Sequence, residues 1–235
     1  MLEVRNLSVG YPRPAMVRNV SLELELGEKV ALVGANGAGK STTLRGVFCL
    51  ANRIAGAVYV EGHQVVPRPQ ALVDVGVAYV PEGRHVFGQL TVEENLAVAA
   101  LASPRTRSRV GEVLERVFDS SELLASMRNR RAGALSGGQQ QLLAIWRALS
   151  QEPRYLLVDE PSLGLSPVAV DSVYEQLDHL VSRGVALLLV EQNVELALSL
   201  CSRAYVLQAG EIAASGQTSD LANTALVREL YFGAA

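Results

Sequence analysis

Eight residues near the start of the chain combine glycine, lysine and serine at a spacing that suits phosphate chemistry. Gly34 to Ser41 reads Gly-Ala-Asn-Gly-Ala-Gly-Lys-Ser, and it follows the apolar run Val30 to Val33. Glycines let the backbone curl and turn several N–H groups toward one polyanion. Lys40 adds a positive charge, and the Ser41 hydroxyl is a ligand suited to Mg²⁺. The pattern therefore predicts an ATP site with Mg²⁺, contacted by Asn36, Gly37, Ala38, Gly39, Lys40, Ser41 and Thr42.

Two acids, Asp159 and Glu160, end the apolar run that starts at Tyr155. Parallel strands end at the ligand crevice of an α/β sheet, so acids at this point face the bound ligand. Asp159 is placed to bind Mg²⁺ directly or through water, and Glu160 is placed to polarise an attacking water. An acidic strand end alone is common in α/β folds. Because this chain also has the phosphate loop, we interpret its acidic strand end as catalytic.

A third segment, Leu135-Ser136-Gly137-Gly138-Gln139, precedes a stretch with helical spacing of apolar residues. Ser136 and Gln139 fit a capping box, so the segment could be a helix cap and nothing more. Its two glycines also leave a bare helix N-terminus, which suits an anion. Since the chain already has one phosphate loop, a second anion site suggests that another copy closes over the nucleotide.

These segments need an α/β framework to position them. Apolar strands are predicted at 20–26, 30–33, 155–158 and 185–190, a hairpin at 204–214, and helices after Lys40 and from Pro167 to Gly184. Residues between about 84 and 146 are predicted to be mostly helical, with a capping box at Thr91 and Glu94. We therefore predict an α/β nucleotide-binding core of residues 1–83 and 147–235, and a helical subdomain of residues 84–146 that carries Ser136 to Gln139.

Composition excludes several other classes. The net charge is −3, and without a long basic stretch the chain is not expected to bind nucleic acid. Cys49 and Cys201 have apolar neighbours and are predicted to be buried free thiols in a reducing compartment. The most apolar run, Val185 to Val190, is far shorter than the ~20 residues of a membrane helix, so no membrane span is expected.

The chain resembles the ATP-binding subunit of ABC transporters over essentially its whole length. Three motifs carry the resemblance, in this order: the phosphate loop, Leu135–Gln139 and Leu156-Leu-Val-Asp-Glu-Pro161. The resemblance implies a P-loop NTPase core of the ABC ATPase type, with a mainly parallel sheet, an antiparallel β part and a helical subdomain. It also implies two subunits paired head to tail, with each ATP between one phosphate loop and the partner's Ser136, Gly138 and Gln139. Tyr11 matches the residue that stacks on adenine, although it could be an ordinary turn residue.

Five segments are similar to the smaller-type ATPase of branched-chain amino-acid importers, namely 81–84, 90–96, 159–165, 190–193 and 227–233. This resemblance implies an ATP-hydrolysing subunit at the cytoplasmic face of the membrane. Its partners would be transmembrane permeases docked beside residues 82 to 96, an identical or different second ATPase and, indirectly, a solute-binding protein. The alternatives are import of another small polar solute such as urea or amides, or an ATP-gated dimerising module with little hydrolysis.

Three positions depart from the usual pattern of this family. Glu82 stands where most members have Gln, but a carboxylate still suits a hard cation, so the predicted magnesium set is Ser41, Glu82 and Asp159. Gln192 replaces the usual His, and Ser166 replaces an Asp. Because an amide donates hydrogen bonds but cannot carry a proton in transit, we predict that Gln192 contributes to catalysis by positioning and does not shuttle protons.

Overall fold

Six strands form the larger sheet in the computed structural model, which describes residues 1–10, 15–222, 224 and 227. The strands are β3 (Lys29–Val33), β6 (Val77–Val80), β7 (Tyr155–Asp159), β8 (Ala186–Glu191), β9 (Arg203–Gln208) and β10 (Glu211–Gln217). Five of them run parallel in the order β9-β3-β8-β7-β6, and β10 pairs antiparallel with β9 at one edge. The predicted parallel sheet and terminal hairpin are therefore confirmed.

A second sheet consists of four antiparallel strands, β1 (Leu2–Gly10), β2 (Ala15–Leu24), β4 (Arg53–Val60) and β5 (His63–Gln64). Their order in the sheet is β2-β1-β4-β5. This is the predicted antiparallel β part. The prediction that the alternating strand continues to Leu26 was wrong, because β2 ends at Leu24 and Leu26 lies exposed beside the turn at Gly27.

Helices cover both faces of the larger sheet. They are α1 (Lys40–Val47), α2 (Pro69–Asp74), α3 (Val92–Ala102), α4 (Val110–Ser120), α5 (Glu122–Ser126), α6 (Gly137–Leu149), α7 (Pro167–Ser182), α8 (Val194–Leu200) and α9 (Thr218–Leu221), with a 3₁₀ turn at Ala132–Ala134. Among the residues that the structure describes, none of these helices is both long and apolar enough to cross a membrane.

The larger sheet is apolar on both faces, as continuous apolar strands predict. Along β3, Ala31 and Val33 pack into a core shared with α6 and α7, while Val30 and Leu32 pack into a second core shared with α1 and the smaller sheet. The ends of the parallel strands are thereby fixed from both sides, which gives the loops that follow them a rigid base.

Residues 84–146 contain α3, α4, α5 and most of α6, without a strand. The division into a core and a helical subdomain stays a prediction, and its proposed boundary at residue 146 falls inside α6, which continues to Leu149. Cys201 is a buried free thiol, as predicted. The prediction that Cys49 is buried was wrong, because this residue lies in the loop after α1 and is only partly buried. Its sulfur accepts a hydrogen bond from Arg53 at 3.1 Å.

Candidate active site at the carboxyl ends of the parallel strands

The order of the strands brings three loops to one edge of the sheet. Strand β8 lies between β3, which leads into the phosphate loop, and β7, which ends in the acidic pair. The register pairs Asp159 with Val190 and Val33 with Glu191, so the three strands end at nearly the same level. Parallel strands with this arrangement place the residues that follow them around one crevice.

The phosphate loop curls into the N-terminus of α1. Gly37 and Gly39 have φ of 77° and 106°, a region that favours glycine, and Gly39 is the N-cap of the helix. A Cβ on Gly39 would also lie 3.0 Å from a methyl group of Val17. The loop borders a cavity of 120 Å³ lined by Met16, Asn36, Gly37, Gly39, Lys40, Ser41, Thr42 and Glu160. This cavity combines a helix N-terminus with a lysine, which suits phosphate groups.

Ala38, another predicted contact of ATP, is placed differently from its neighbours. Its side chain is buried, and its carbonyl oxygen accepts a hydrogen bond from Gly210 at 3.0 Å. Its N–H donates to the carbonyl of Ala35 at 3.1 Å, within the loop itself. Ala38 therefore packs the loop against the β9–β10 turn and does not line the cavity.

Lys40 lies between the loop and the acidic pair. Its Nζ donates to the carbonyl oxygens of Gly34 and Ala35 at 2.9 and 3.4 Å and lies 3.6 Å from Glu160 Oε1. The residue is only 4% exposed. A buried cation held mainly by neutral carbonyls keeps much of its attraction for an anion, so it suits the outer phosphates of a nucleotide.

Ser41 and Asp159 are joined directly. The Ser41 hydroxyl donates to Asp159 Oδ1 at 2.9 Å, and the Tyr79 hydroxyl donates to Oδ2 at 3.1 Å. Burial raises the pKa of the Asp159 carboxyl, and these two hydrogen bonds partly oppose the shift. Glu82 forms an ion pair with Arg45 at 3.8 Å, and its charge adds to the rise in the Asp159 pKa.

These donors fit a magnesium ion that keeps several other ligands. Ser41, Asp159 and Glu82 offer hard oxygen atoms, which Mg²⁺ prefers. Within the ranges described, no cluster of three or more His, Cys, Asp or Glu side chains could hold a metal. The protein therefore offers a partial set, of the kind that phosphate oxygens and water complete.

Glu160 has an unusual backbone for an active-site acid. Its φ is 45°, and its N–H donates to the carbonyl of Val190 at 2.9 Å, which fixes it between two strand ends. In a non-glycine residue such a conformation costs about 1–3 kcal/mol of free energy, and it persists only where the surrounding structure imposes it. Burial raises the pKa of Glu160, and Lys40 partly opposes this effect. A carboxyl with a raised pKa is a better proton acceptor, which suits a general base.

Gln192 lies on the other side of Glu160. Both residues line a cavity of 340 Å³ with Ser162, Leu163, Gly164, Glu191 and Asn193. The Gln192 side chain is exposed, and its backbone N–H donates to Glu191 Oε2 at 3.1 Å. Sequence reasoning assigned no role to Glu191, Tyr79 or Met16. Only Glu191 carries a signal, because it is an acid that ends an apolar run, as Asp159 does.

The segment Ser136 to Gln139 is separate from this crevice. Gln139 N donates to Ser136 Oγ at 3.3 Å and Ser136 N donates to Gln139 Oε1 at 2.9 Å, which is the predicted capping box. Ser136, Gly138 and Gln139 line a different cavity of 260 Å³ that shares no lining residue with the two cavities beside Glu160. Tyr11 lies outside the described residues, as do residues 228–233 of the similar segment at the end of the chain.

Comparison with known proteins agrees with this arrangement. A family model described as ABC transporter matches residues 17–163. The high-affinity branched-chain amino acid transport ATP-binding protein BraG of Pseudomonas aeruginosa is 40% identical over 234 residues, covering 99% of this chain and all of BraG. The lipopolysaccharide export system ATP-binding protein LptB of Haemophilus influenzae is 33% identical over 99% of this chain and 97% of LptB.

A solved structure is also similar. It is the dimeric post-hydrolysis state of the ATP-binding cassette MJ0796 bound to ADP and Pi, with a TM-score of 0.79 and 25% identity over 93% of this chain and 99% of that one. The phosphate loop, the acidic strand end and the capped Ser136 helix thus occur in the fold of an ATP-binding cassette that was solved as a dimer in a post-hydrolysis state. The chain belongs to the ABC transporter family and is an ATP-binding and ATP-hydrolysing subunit of such a transporter.

Proposed function

We propose that this chain powers an importer of branched-chain or related hydrophobic amino acids. The observation that carries the proposal is the 40% identity with BraG, which extends over almost the whole of both chains. Phosphate chemistry is the same for every solute, so the solute is inferred from this likeness alone. Two such subunits, identical or different, would act at the cytoplasmic face of the membrane with permeases and an external solute-binding protein.

For the reaction, we assign each residue of the crevice one task. Lys40 and the N-terminus of α1 bind the outer phosphates. Glu160 accepts a hydrogen bond from the attacking water and acts as the general base that accepts its proton. Gln192 orients the terminal phosphate with its amide, without carrying a proton. Mg²⁺, held by Ser41 and Asp159 with Glu82 beside them, would neutralise charge on the phosphates.

A groove beside the crevice is our candidate for the permease contact. It encloses 300 Å³ and includes Phe87 and Val98, which are 45% and 42% exposed. Arg147 lies over the Phe87 ring at 4.4 Å and donates to the carbonyl of His85 at 2.7 Å. An exposed apolar groove with a fixed cation suits a short helix from a membrane protein.

The test is transport by a reconstituted complex. The chain would be co-purified with the permeases and second ATPase encoded beside it, placed in vesicles with the binding protein, and assayed with labelled leucine. We expect ATP-dependent uptake that Glu160→Gln abolishes. Uptake of urea or an amide without leucine would contradict the amino-acid assignment while leaving the motor intact.

The likeness to LptB adds one further arm to this experiment. LptB acts in lipopolysaccharide export, so the same vesicles should be tested with lipopolysaccharide as the transported molecule. We expect no ATP-dependent release of lipopolysaccharide. Release without amino-acid uptake would overturn the proposed importer.

A further inference from the structure

The acid at the end of β8, Glu191, has no part in the chemistry described so far. It is 1% exposed, and no Lys, Arg or His among the described residues forms an ion pair with it. Its carboxylate instead accepts four hydrogen bonds. The donors are the backbone N–H groups of Ser162, Gln192 and Asn193, at 3.1, 3.1 and 3.5 Å, and the Tyr174 hydroxyl.

The two carboxylate oxygens of Glu191 reach different elements. Oε1 accepts from Ser162, in the loop that follows Glu160, and from Tyr174 on α7. Oε2 accepts from Gln192 and Asn193, in the loop that follows β8. One buried side chain therefore links the loop after Glu160 with the loop of Gln192 and attaches both to a long helix.

Burying a carboxylate at this position costs free energy. The preceding residues of β8, Ala186 to Val190, are buried and apolar, and another apolar residue would avoid the cost of burying a charge. Hydrogen bonds to an ionised acceptor are stronger than neutral ones and more demanding in geometry. Burial and the nearby Glu191 charge raise the pKa of Tyr174, so Tyr174 stays a donor to that carboxylate.

The Gln192 side chain needs such a support. It is exposed at the cavity, and no hydrogen bond joins it to another of the described residues, whereas the backbone N–H of Gln192 donates to Glu191. We propose that Glu191 is a positioning residue that fixes Gln192 relative to Glu160, with Tyr174 as its anchor on α7. This inference rests on the proposed role of Gln192 in hydrolysis. Glu191 itself is buried and acts through its neighbours.

The test compares the steady-state ATPase of full-length Glu191→Gln, Tyr174→Phe, Gln192→Ala and the double variant of Glu191 and Gln192. An amide at position 191 keeps the size but turns one acceptor into a donor that faces other N–H groups. We expect kcat to fall about tenfold in Glu191→Gln, since small displacements of catalytic groups are costly. KM for ATP should change less than about twofold, because phosphate binding is left intact. Tyr174→Phe should also lower kcat, but by less than Glu191→Gln does.

A matched control is Glu28→Gln. Glu28 is a partly buried carboxylate that, like Glu191, accepts several hydrogen bonds, from Arg203 and from the backbone N–H of Glu25. It precedes β3, at the end of the strand away from the crevice. It should lower the melting temperature without lowering kcat. If Glu191→Gln likewise lowered the melting temperature and left kcat unchanged, Glu191 would have a structural role only. That result would overturn the inference.

The double variant decides whether Glu191 acts through Gln192. We expect it to have the kcat of Gln192→Ala alone, because the positioned group is already gone. Additive losses would overturn the inference while leaving the role of Gln192 standing. A wild-type kcat for Gln192→Ala would instead reject the proposed role of Gln192. If Glu191→Gln does not fold, the same cycle with Tyr174→Phe gives the answer.

Discussion

At the scale of single residues, the crevice concentrates buried charge around Asp159 and Glu160. Burial raises the pKa of both carboxyls, and Lys40 lies 3.6 Å from Glu160. The sequence indicated these residues because an acid after an apolar strand is a simple pattern. It did not indicate Tyr79, which donates to Asp159, because one aromatic residue in a short strand has no distinctive spacing.

Replacing Glu160 by Gln should separate binding from hydrolysis. We expect phosphate release to fall at least about 100-fold, since general-base catalysis is lost. ATP binding should persist, because Lys40 and the phosphate loop are unchanged, and an ATP-dependent dimer should accumulate in light scattering. Glu115→Gln, on the exposed face of α4, is the control. Hydrolysis within about twofold of wild type would reject the assignment of Glu160.

Replacing Asp159 by Asn should stabilise the nucleotide-free protein and abolish activity. The folded state holds a proton on Asp159 more tightly than the unfolded chain, so this group's contribution to the free energy of unfolding falls as pH rises through its range. The gain in melting temperature should therefore be larger near about pH 8 than near about pH 5, in thermal scans of both proteins. A gain that is equal at both pH values, or a loss at both, would contradict this account.

At the scale of elements, the sequence predicted the continuous apolar runs of β3, β7 and β8, but it did not predict β1, β4 or the short apolar strand β6. Strand β1 has register shifts after Val4 and Leu7 and a left-handed residue at Asn6, which break the alternation of its buried residues. Strand β4 carries apolar residues on an exposed face, with Ile54 49% exposed. Such strands depend on pairing with distant segments, which a local pattern does not contain.

The cap of α6 gives a test at this scale. Ser136→Ala should cost about 1 kcal/mol of stability, because Gln139 N–H loses its acceptor. It should also lower ATPase activity, since Ser136 is proposed to contact the partner's nucleotide. Ser121→Ala removes a similar cap from α5 and should lower stability alone. Equal activity in the two variants, measured at matched folded fractions, would reduce Ser136 to a helix cap.

At the scale of the whole molecule, the phosphate loop and the Ser136 segment line separate cavities. If the Ser136 segment contacts nucleotide as proposed, each chain carries the two halves of a nucleotide site on different parts of its surface. In the proposed head-to-tail dimer, each half would lie against the complementary half of the partner. The sequence predicted this division from a second anion-binding segment, although the contacts of a dimer depend on surface shape that no motif encodes.

Dilution tests the need for a second subunit. The specific ATPase activity of the purified chain should rise steeply with its concentration, because only dimers complete the site. The measurement is the initial rate over a dilution series that extends well below the dimerisation range found by light scattering. Specific activity that stays flat across the series would indicate a site complete within one chain.

The most direct test of the composite site is complementation between two inactive variants. Lys40→Ala removes the charge of the phosphate loop, and Ser136→Arg blocks the opposite surface. Mixed in equal amounts, they form heterodimers in which one site carries both changes and the other carries neither. The account predicts that ATPase activity returns to about a quarter of the wild-type value, since half of the dimers hold one intact site. A mixture as inactive as each variant alone, with heterodimers shown to form, would contradict it.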